Sequence, residues 1–403
     1  MDKSYYSVSK IGLQWRLRCL LCGEPMASLP TVTLDSGESR SLPIQQAAKL
    51  SQGCGQSICH VICETIALIG LVLCFAFQAH AQSAAPVRLV QTIQMVNVPW
   101  GPYTDHLAVD VAGHRLFATP QAHHSVQVFD LDTGKLIHEL TGMGNPHSIL
   151  YRSDLDRIYV TDGGAGLLRI FNGRDYQPMK PVKLLLDADS IGYDPATKYI
   201  YVTNGGENAK LPYALISVID TTSGGHVGDI KIQAKSLEAM ALESGGPRIY
   251  IDITDKNEIG VVNRQTRTLM ATWPVTKGKE NIAIALDERH HRLFVGCRNT
   301  DMRGVIVVMD TQTGKETGTA LPIGGWVDYL AFDPVNGRVY AVCGTGYVYV
   351  YQDRGPDRYD LLGRVETAVM AKTGLLVPEL SRFFVSVPHL GSTSAKILVY
   401  QVK

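Results

Sequence analysis

Short apolar stretches alternate with turn residues along most of the chain, and one arrangement of positions returns seven times. An arginine or tyrosine leads an apolar-aromatic run. The copies are Arg115-Leu-Phe-Ala-Thr119, Arg157-Ile-Tyr-Val-Thr161, Tyr199-Ile-Tyr-Val-Thr203, Arg248-Ile-Tyr-Ile-Asp252, Arg292-Leu-Phe-Val-Gly296, Arg338-Val-Tyr-Ala-Val342 and Arg382-Phe-Phe-Val-Ser386. Their spacing runs from 42 residues (Arg115 to Arg157) to 49 (Tyr199 to Arg248). Runs this short, rich in Val, Ile, Tyr and Phe and bounded by Gly, Asp and Asn, predict strands. A repeat in the forties leaves room for four strands and their turns. No stretch holds a 3.6-residue apolar period long enough to compete as a helix.

Each unit divides into four strands. Strand A is typified by His106-Leu-Ala-Val-Asp110 and Tyr329-Leu-Ala-Phe-Asp333, and strand B is the arginine-led run. Strand C reads Val126-Gln-Val-Phe-Asp130, Ser217-Val-Ile-Asp220 or Ile306-Val-Val-Met-Asp310. A turn such as Asp132-Thr-Gly-Lys135 follows, then a weakly patterned strand D. The prediction is an all-β fold, a seven-bladed β-propeller with four antiparallel strands per blade. The last copy ends after its C-type strand Ile397-Leu-Val-Tyr400. The run Val87 to Met95 precedes the first strand A, and it is predicted to complete blade seven and hide an open sheet edge.

The first 81 residues break the pattern. Ile66 to Phe77 is an apolar run too short for an ordinary membrane span, which needs about 20 residues. It ends at Ala79-His80-Ala81, a small-x-small cleavage pattern. Residues 61–81 therefore read as a signal peptide, with an uncleaved anchor as the other reading. The propeller domain is expected to span 82–403. Residues 1–60 read as a disordered leader or a start assigned too early, with Met26 as a later candidate. Cys19, Cys22, Cys54, Cys59, Cys63 and Cys74 all lie upstream of the cleavage pattern, which leaves Cys297 and Cys343. Equivalent strands of neighbouring blades stand too far apart for a disulfide. Two free, buried thiols are the expectation, with soft-metal binding near His389 as an alternative. The setting implied is periplasmic or secreted, with no stable anchor after cleavage, and a monomer is expected.

Charge is balanced, 38 basic against 38 acidic residues. That argues against nucleic acid as a partner. No Gly-x-Ser-x-Gly or His-Glu-x-x-His motif is present, and no catalytic residue is assigned. His290-His291 sits in an A–B turn, where adjacent side chains diverge, so no chelating pair is expected.

Tyr201-Val-Thr-Asn204 and its near copy Tyr159-Val-Thr-Asp162 carry a family resemblance. The chain resembles the bacterial YVTN-repeat, or YncE-like, propellers over residues 87–403. The resemblance implies the fold. For activity it implies little, because propellers host unrelated functions. Some YncE-like relatives are linked to single-stranded DNA, a third reading that the balanced charge disfavours.

Aligning the copies on strand B brings one set of residues to the start of strand A, at the channel mouth. These are Asp105, His147, Asp189, Glu238, Ile282 (with Asn281 beside it), Asp328 and Lys372. Carboxylates crowded around a channel repel unless a cation or hydrogen bonds offset them. Asp105, His147, Asp189, Glu238, Asn281 and Asp328 are thus candidates for a ligand or divalent cation. Calcium or magnesium would suit the oxygen donors, and His147 admits a transition metal. The placement is similar to that in gluconolactonase-type and streptogramin-lyase-type propellers, which implies a catalytic divalent ion. A polar funnel satisfied by backbone amides and water is the alternative. The B–C loops open at the same mouth. They offer His123, His124, Asp162, Asn204, Asp255, Arg298 and His389 as rim contacts for an unidentified protein or small molecule. Two functions remain open at this point: a binding scaffold, or a metal-dependent hydrolase or lyase of the lactonase type.

Overall fold

The computed structural model describes residues 85–402. The expected leader and signal peptide, with the upstream cysteines, lie outside the described residues. What is described forms seven four-stranded antiparallel sheets. They occupy residues 107–140, 146–183, 191–232, 237–274, 281–324, 327–366 and, for blade seven, 373–402 plus the N-terminal strand Val87–Gln94. In blades one to six the strands follow the chain from A to D. In blade seven, Thr373–Val377, Arg382–Val387 and Lys396–Val402 are completed by Val87–Gln94. Val87 stands opposite Val402, and Gln94 opposite Lys396. Val87 and Ile93 are 2% and 1% exposed, so packing as well as hydrogen bonds holds the closing strand.

The repeated motif has a direct physical cause. Successive side chains on a strand point to opposite faces. A blade lies between two others, so both faces must be apolar. The third motif position, Phe117, Tyr159, Tyr201, Tyr250, Phe294, Tyr340 and Phe384, is at most 1% exposed throughout, and the second position is fully buried in every copy. Each aliphatic or Phe side chain among them contributes about 1.5–3 kcal/mol. The leading arginine ties strand B to nearby acids: Arg115 to Asp110 at 2.8 Å, Arg248 to Glu243 at 2.6 Å, and Arg292 to Asp310 at 2.8 Å and Asp357 at 2.7 Å.

The A strands surround a channel. A cavity of about 230 Å³ in its bore is lined by aliphatic side chains such as Leu107, Ile149, Met240 and Leu330, interspersed with His106, Ser148, Ser190, Asp328 and Tyr329. Most of the charged side chains gather above this mixed bore, at the mouth.

Candidate functional site

The mouth residues are placed by a recurring irregularity. Register shifts interrupt strand A between Pro146 and Ile149, Leu237 and Met240, Asn281 and Ala283, and Val327 and Tyr329. A β-bulge adds a residue to one strand and re-aims its side chain. His147, Glu238, Ile282 and Asp328 lie within these bulges and line the mouth cavity. Threonines of strand B fix the next blade's entry: Thr119 Oγ1 donates to His147 O at 3.0 Å, and Thr161 Oγ1 to Asp189 O at 2.6 Å. The threonine of the repeat thus acts across the blade boundary.

Above the bore lies an open cavity of about 610 Å³. Asp105, His147, Asp189, Glu238 and Asp328 line it, as the repeat alignment expects, together with Lys372 and Arg298. Asn281 does not. It is fully buried, donates Nδ2–H to Asp252 Oδ1 at 2.6 Å and to Glu258 O at 3.0 Å, and leaves the mouth to Ile282. The bulge, invisible in the sequence, decides which of the two faces the axis.

The charged lining forms two triads of opposite composition. On one side His147 stands between two carboxylates, with Nδ1 2.9 Å from Asp105 Oδ2 and 3.6 Å from Asp189 Oδ2. The Gln121 and Asn145 side-chain amides lie 2.8 Å from His147 Nδ1 and Nε2, and Gln121 also donates to Asp105 at 2.9 Å. On the other side Asp328 stands between two cations, pairing with Arg298 through Oδ1 and with Lys372 through Oδ2. Arg298 supplies charge where blade five offers only Ile282. Glu238 lies between the triads and accepts from Ser236 Oγ at 2.7 Å.

Electrostatics follow from this order. Burial alone would lower the His147 pKa, but Asp189, Asp105 and Asp187 outweigh it and raise it to about 10. Burial would raise Asp105, but the charge of His106, the bond to His147 and Lys372 together hold it at about 2. Asp189 is raised, because burial and Asp105 outweigh His147. Glu238 is pushed up to about 8 by burial, then by the charges of Asp189 and Asp328, against the pull of Ser236 and Arg298. Around the axis the signs alternate as Asp105, His147, Asp189, then Arg298, Asp328, Lys372. Seven positions cannot close an alternating ring. Glu238, next to Asp189, occupies the frustrated place and keeps its proton at neutral pH.

Donor atoms of Asp105, His147 and Asp189 all lie within 4.8 Å of one another, close enough to share one metal ion. Both ring nitrogens of His147 face protein partners, so an ion would have to displace a proton and reorient the amides. The mixed donors fit a transition metal better than calcium. Asp287, His290 and Asp353 form a second such group. His290 Nδ1 lies 2.7 Å from Asp287, while His291 holds a left-handed turn position (φ 57°), as His114, Asp156 and Lys198 do before their own B strands. The two histidines do not chelate as a pair.

The rim candidates divide. Arg298 and His124 line the cavity. His123 pairs with Glu139 at 3.0 Å, and Asp255 is exposed, accepting from Ser236 N at 3.3 Å. His389 Nδ1 lies 2.8 Å from Val98 O, tying the strand that leaves blade seven. Asp162 and Asn204 are 0% and 3% exposed and hold loops. Asp162 accepts from Gly144 N and Asn145 N at 2.9 Å and pairs with Arg169, while Asn204 accepts from Leu185 N at 3.1 Å. Cys297 and Cys343 are free and buried; burial raises the first thiol strongly and the second to about 12.

No protein-family model and no curated protein matches the sequence. Solved structures do match in shape. A chain of Kuenenia stuttgartiensis hydrazine synthase superposes with a TM-score of 0.64 at 18% identity, over 77% of this chain and 99% of that one. The RRP9 WD40 repeats give 0.63 at 11% identity, over 79% and 100%. A chain of the mitotic checkpoint complex gives 0.62 at 11%, over 78% and 92%. At these identities the likeness shows the propeller fold. Function must be argued from the mouth itself.

Proposed function

We propose that this chain is an exported YVTN-type propeller that binds a small polar ligand or ion at its channel mouth. The observation that carries this reading is the open cavity of about 610 Å³ in which charged side chains from all but one of the inner strands converge, with Arg298 filling the remaining place. A pocket of this size is in the range of small-molecule sites. Tyr103, Met302 and Trp326 are exposed near the mouth, at 54%, 52% and 42%, and would let a protein partner dock over it. Protein assemblies among the fold neighbours support that broader role. Export rests on residues 61–81, and the periplasm or the outside of the cell is the proposed location.

The test is thermal unfolding of the purified protein against a small-ligand library and a series of divalent cations, with Asp189→Asn plus Glu238→Gln as the control. A ligand that binds the folded state raises its stability by mass action. Shifts lost in the double variant support the mouth as the site. Shifts that persist there, or none at all, sink the reading.

The metal-ligand spacing of Asp105, His147 and Asp189 favours a second reading, a divalent-metal hydrolase or lyase. A bound ion would supply Lewis acidity, with Glu238 placed to hold a proton beside it. Stoichiometric metal in purified protein, with turnover of a lactone or ester abolished by Asp189→Asn, would establish it. Metal-free protein inactive with every cation added would dismiss it.

A further inference from the structure

We propose that the ligand of the mouth is a small zwitterion, its ammonium group held against Asp189 and Glu238 and its carboxylate between Arg298 and Lys372. This rests on the mouth being a binding site and names the chemical class it takes. The two triads carry the argument. Asp105, Asp187 and Asp189 face His147 and His106, so carboxylates outnumber imidazoles on this side. Arg298 and Lys372 share one carboxylate, Asp328, which leaves a positive charge over. The triads come from opposite halves of the ring, blades one to three and blades five to seven, and all six side chains line one cavity.

Lys372 attracts Asp105 where blade seven meets blade one, so the two excesses are partly offset there and least offset at the far ends, Asp189 and Arg298. A monovalent cation alone would satisfy one half and leave the other. A free anion would do the reverse. One molecule with both charges meets both triads and, being neutral overall, leaves the net charge of the mouth unchanged. Glu238 sits where the acidic half meets the basic half, its carboxyl accepting only from Ser236 among the described residues; an ammonium beside it would displace the proton it otherwise keeps and take its second oxygen as acceptor. Ile282 and Ala239 lie beside it in the lining and offer an apolar wall for the carbon chain joining the two charges. A guanidinium suits the carboxylate end, because its fixed donors match carboxylate geometry.

Isothermal titration with glycine, glycylglycine and triglycine varies the distance between the charges while keeping both. Each peptide is compared with its N-acetylated and C-amidated forms. The expected result is one preferred length, with blocking of either end weakening it by at least about tenfold, because a hydrogen bond to a charged group is lost. In Arg298→Gln the acid and amide forms should bind alike, while N-acetylation still weakens binding. Lys372→Gln should do the same and serves if the Arg298 variant misfolds. Equal binding of blocked and free forms would overturn the proposal. So would tight binding of methylamine or acetate alone, although the mouth would then still stand as a ligand site. If none of these probes binds, the zwitterion falls, and the library screen decides separately whether the mouth binds anything.

Discussion

Asn281 donates its side-chain amide to Asp252 Oδ1 across 2.6 Å, sealed between blades four and five. Among the described residues, Asp252 Oδ2 and Asn281 Oδ1 meet no donor. A proton on Asp252 supplies the one donor the pair lacks. Burial first, with the charge of Glu238, raises the Asp252 pKa well above its ordinary value, against the opposing bond from Asn281.

A consequence for pH follows. The unfolded carboxyl ionises in the ordinary range and the folded one resists, so the folded state holds the extra proton. Its contribution to stability is complete below the ordinary carboxylate pKa and is lost as pH rises toward the raised value. Asp252→Asn keeps the Asn281 bond and adds its own N–H donor without a charge. The variant should match the parent near pH 4 and exceed it near pH 8, by about 1–3 kcal/mol. Melting temperatures across that range check this; a constant difference would refute it.

His147 should titrate far from an ordinary histidine. Its pKa of about 10 makes its stabilising contribution complete below 6.5, with loss as pH rises from there to 10. Asp105, held at about 2, behaves oppositely: its contribution is present above 3.8 and disappears as pH falls toward 2. In NMR, the His147 ring resonances should stay in the protonated position through pH 8. Asp105→Asn should bring their midpoint down. A midpoint near 6.5 in the parent would contradict the triad.

The closing strand should be as demanding as the core. Ile93 is 1% exposed against Leu116, Phe129 and Phe384. Ile93→Ala should cost about 2–5 kcal/mol. Leu89 on the same strand is 49% exposed, and its change to alanine should stay within about 0.5 kcal/mol. Denaturant unfolding of the two variants distinguishes a structural strand from a loosely added one.

Cys297 and Cys343 should resist thiol reagents in the folded protein, because burial keeps both protonated. Labelling should appear only with denaturant, at the unfolding midpoint. Rapid labelling in native buffer would show that blades five and six open locally.

The propeller was legible because its evidence is local and repeated: Arg248-Ile-Tyr-Ile and its six counterparts state the same two-sided burial. Asp105, His147, Asp189, Glu238 and Asp328 were legible because equivalent repeat positions become neighbours around an axis. Asn281 was misplaced, since a bulge between Asn281 and Ala283 turns the chain by one residue and leaves no mark in composition. Lys372 stood in the aligned set, but its pairing with Asp328 arises only where blades six and seven meet at the mouth. Asp162 and Asn204 read as rim contacts, and only their burial reveals that they anchor backbone amides. Gln121, in a rim loop, and Asn145 both lie against His147, and Asn145 carried no signal in the sequence.

The pairing of Val87 with Val402 joins residues at opposite ends of the described chain. A ribosome makes one of these strands hundreds of residues before its partner. The other blades can assemble as they emerge, while the seam must wait for the final strand. Synthesis therefore leaves a nearly complete ring with an unlatched sheet, and anything that shields that sheet during the delay would govern how much protein matures instead of clumping.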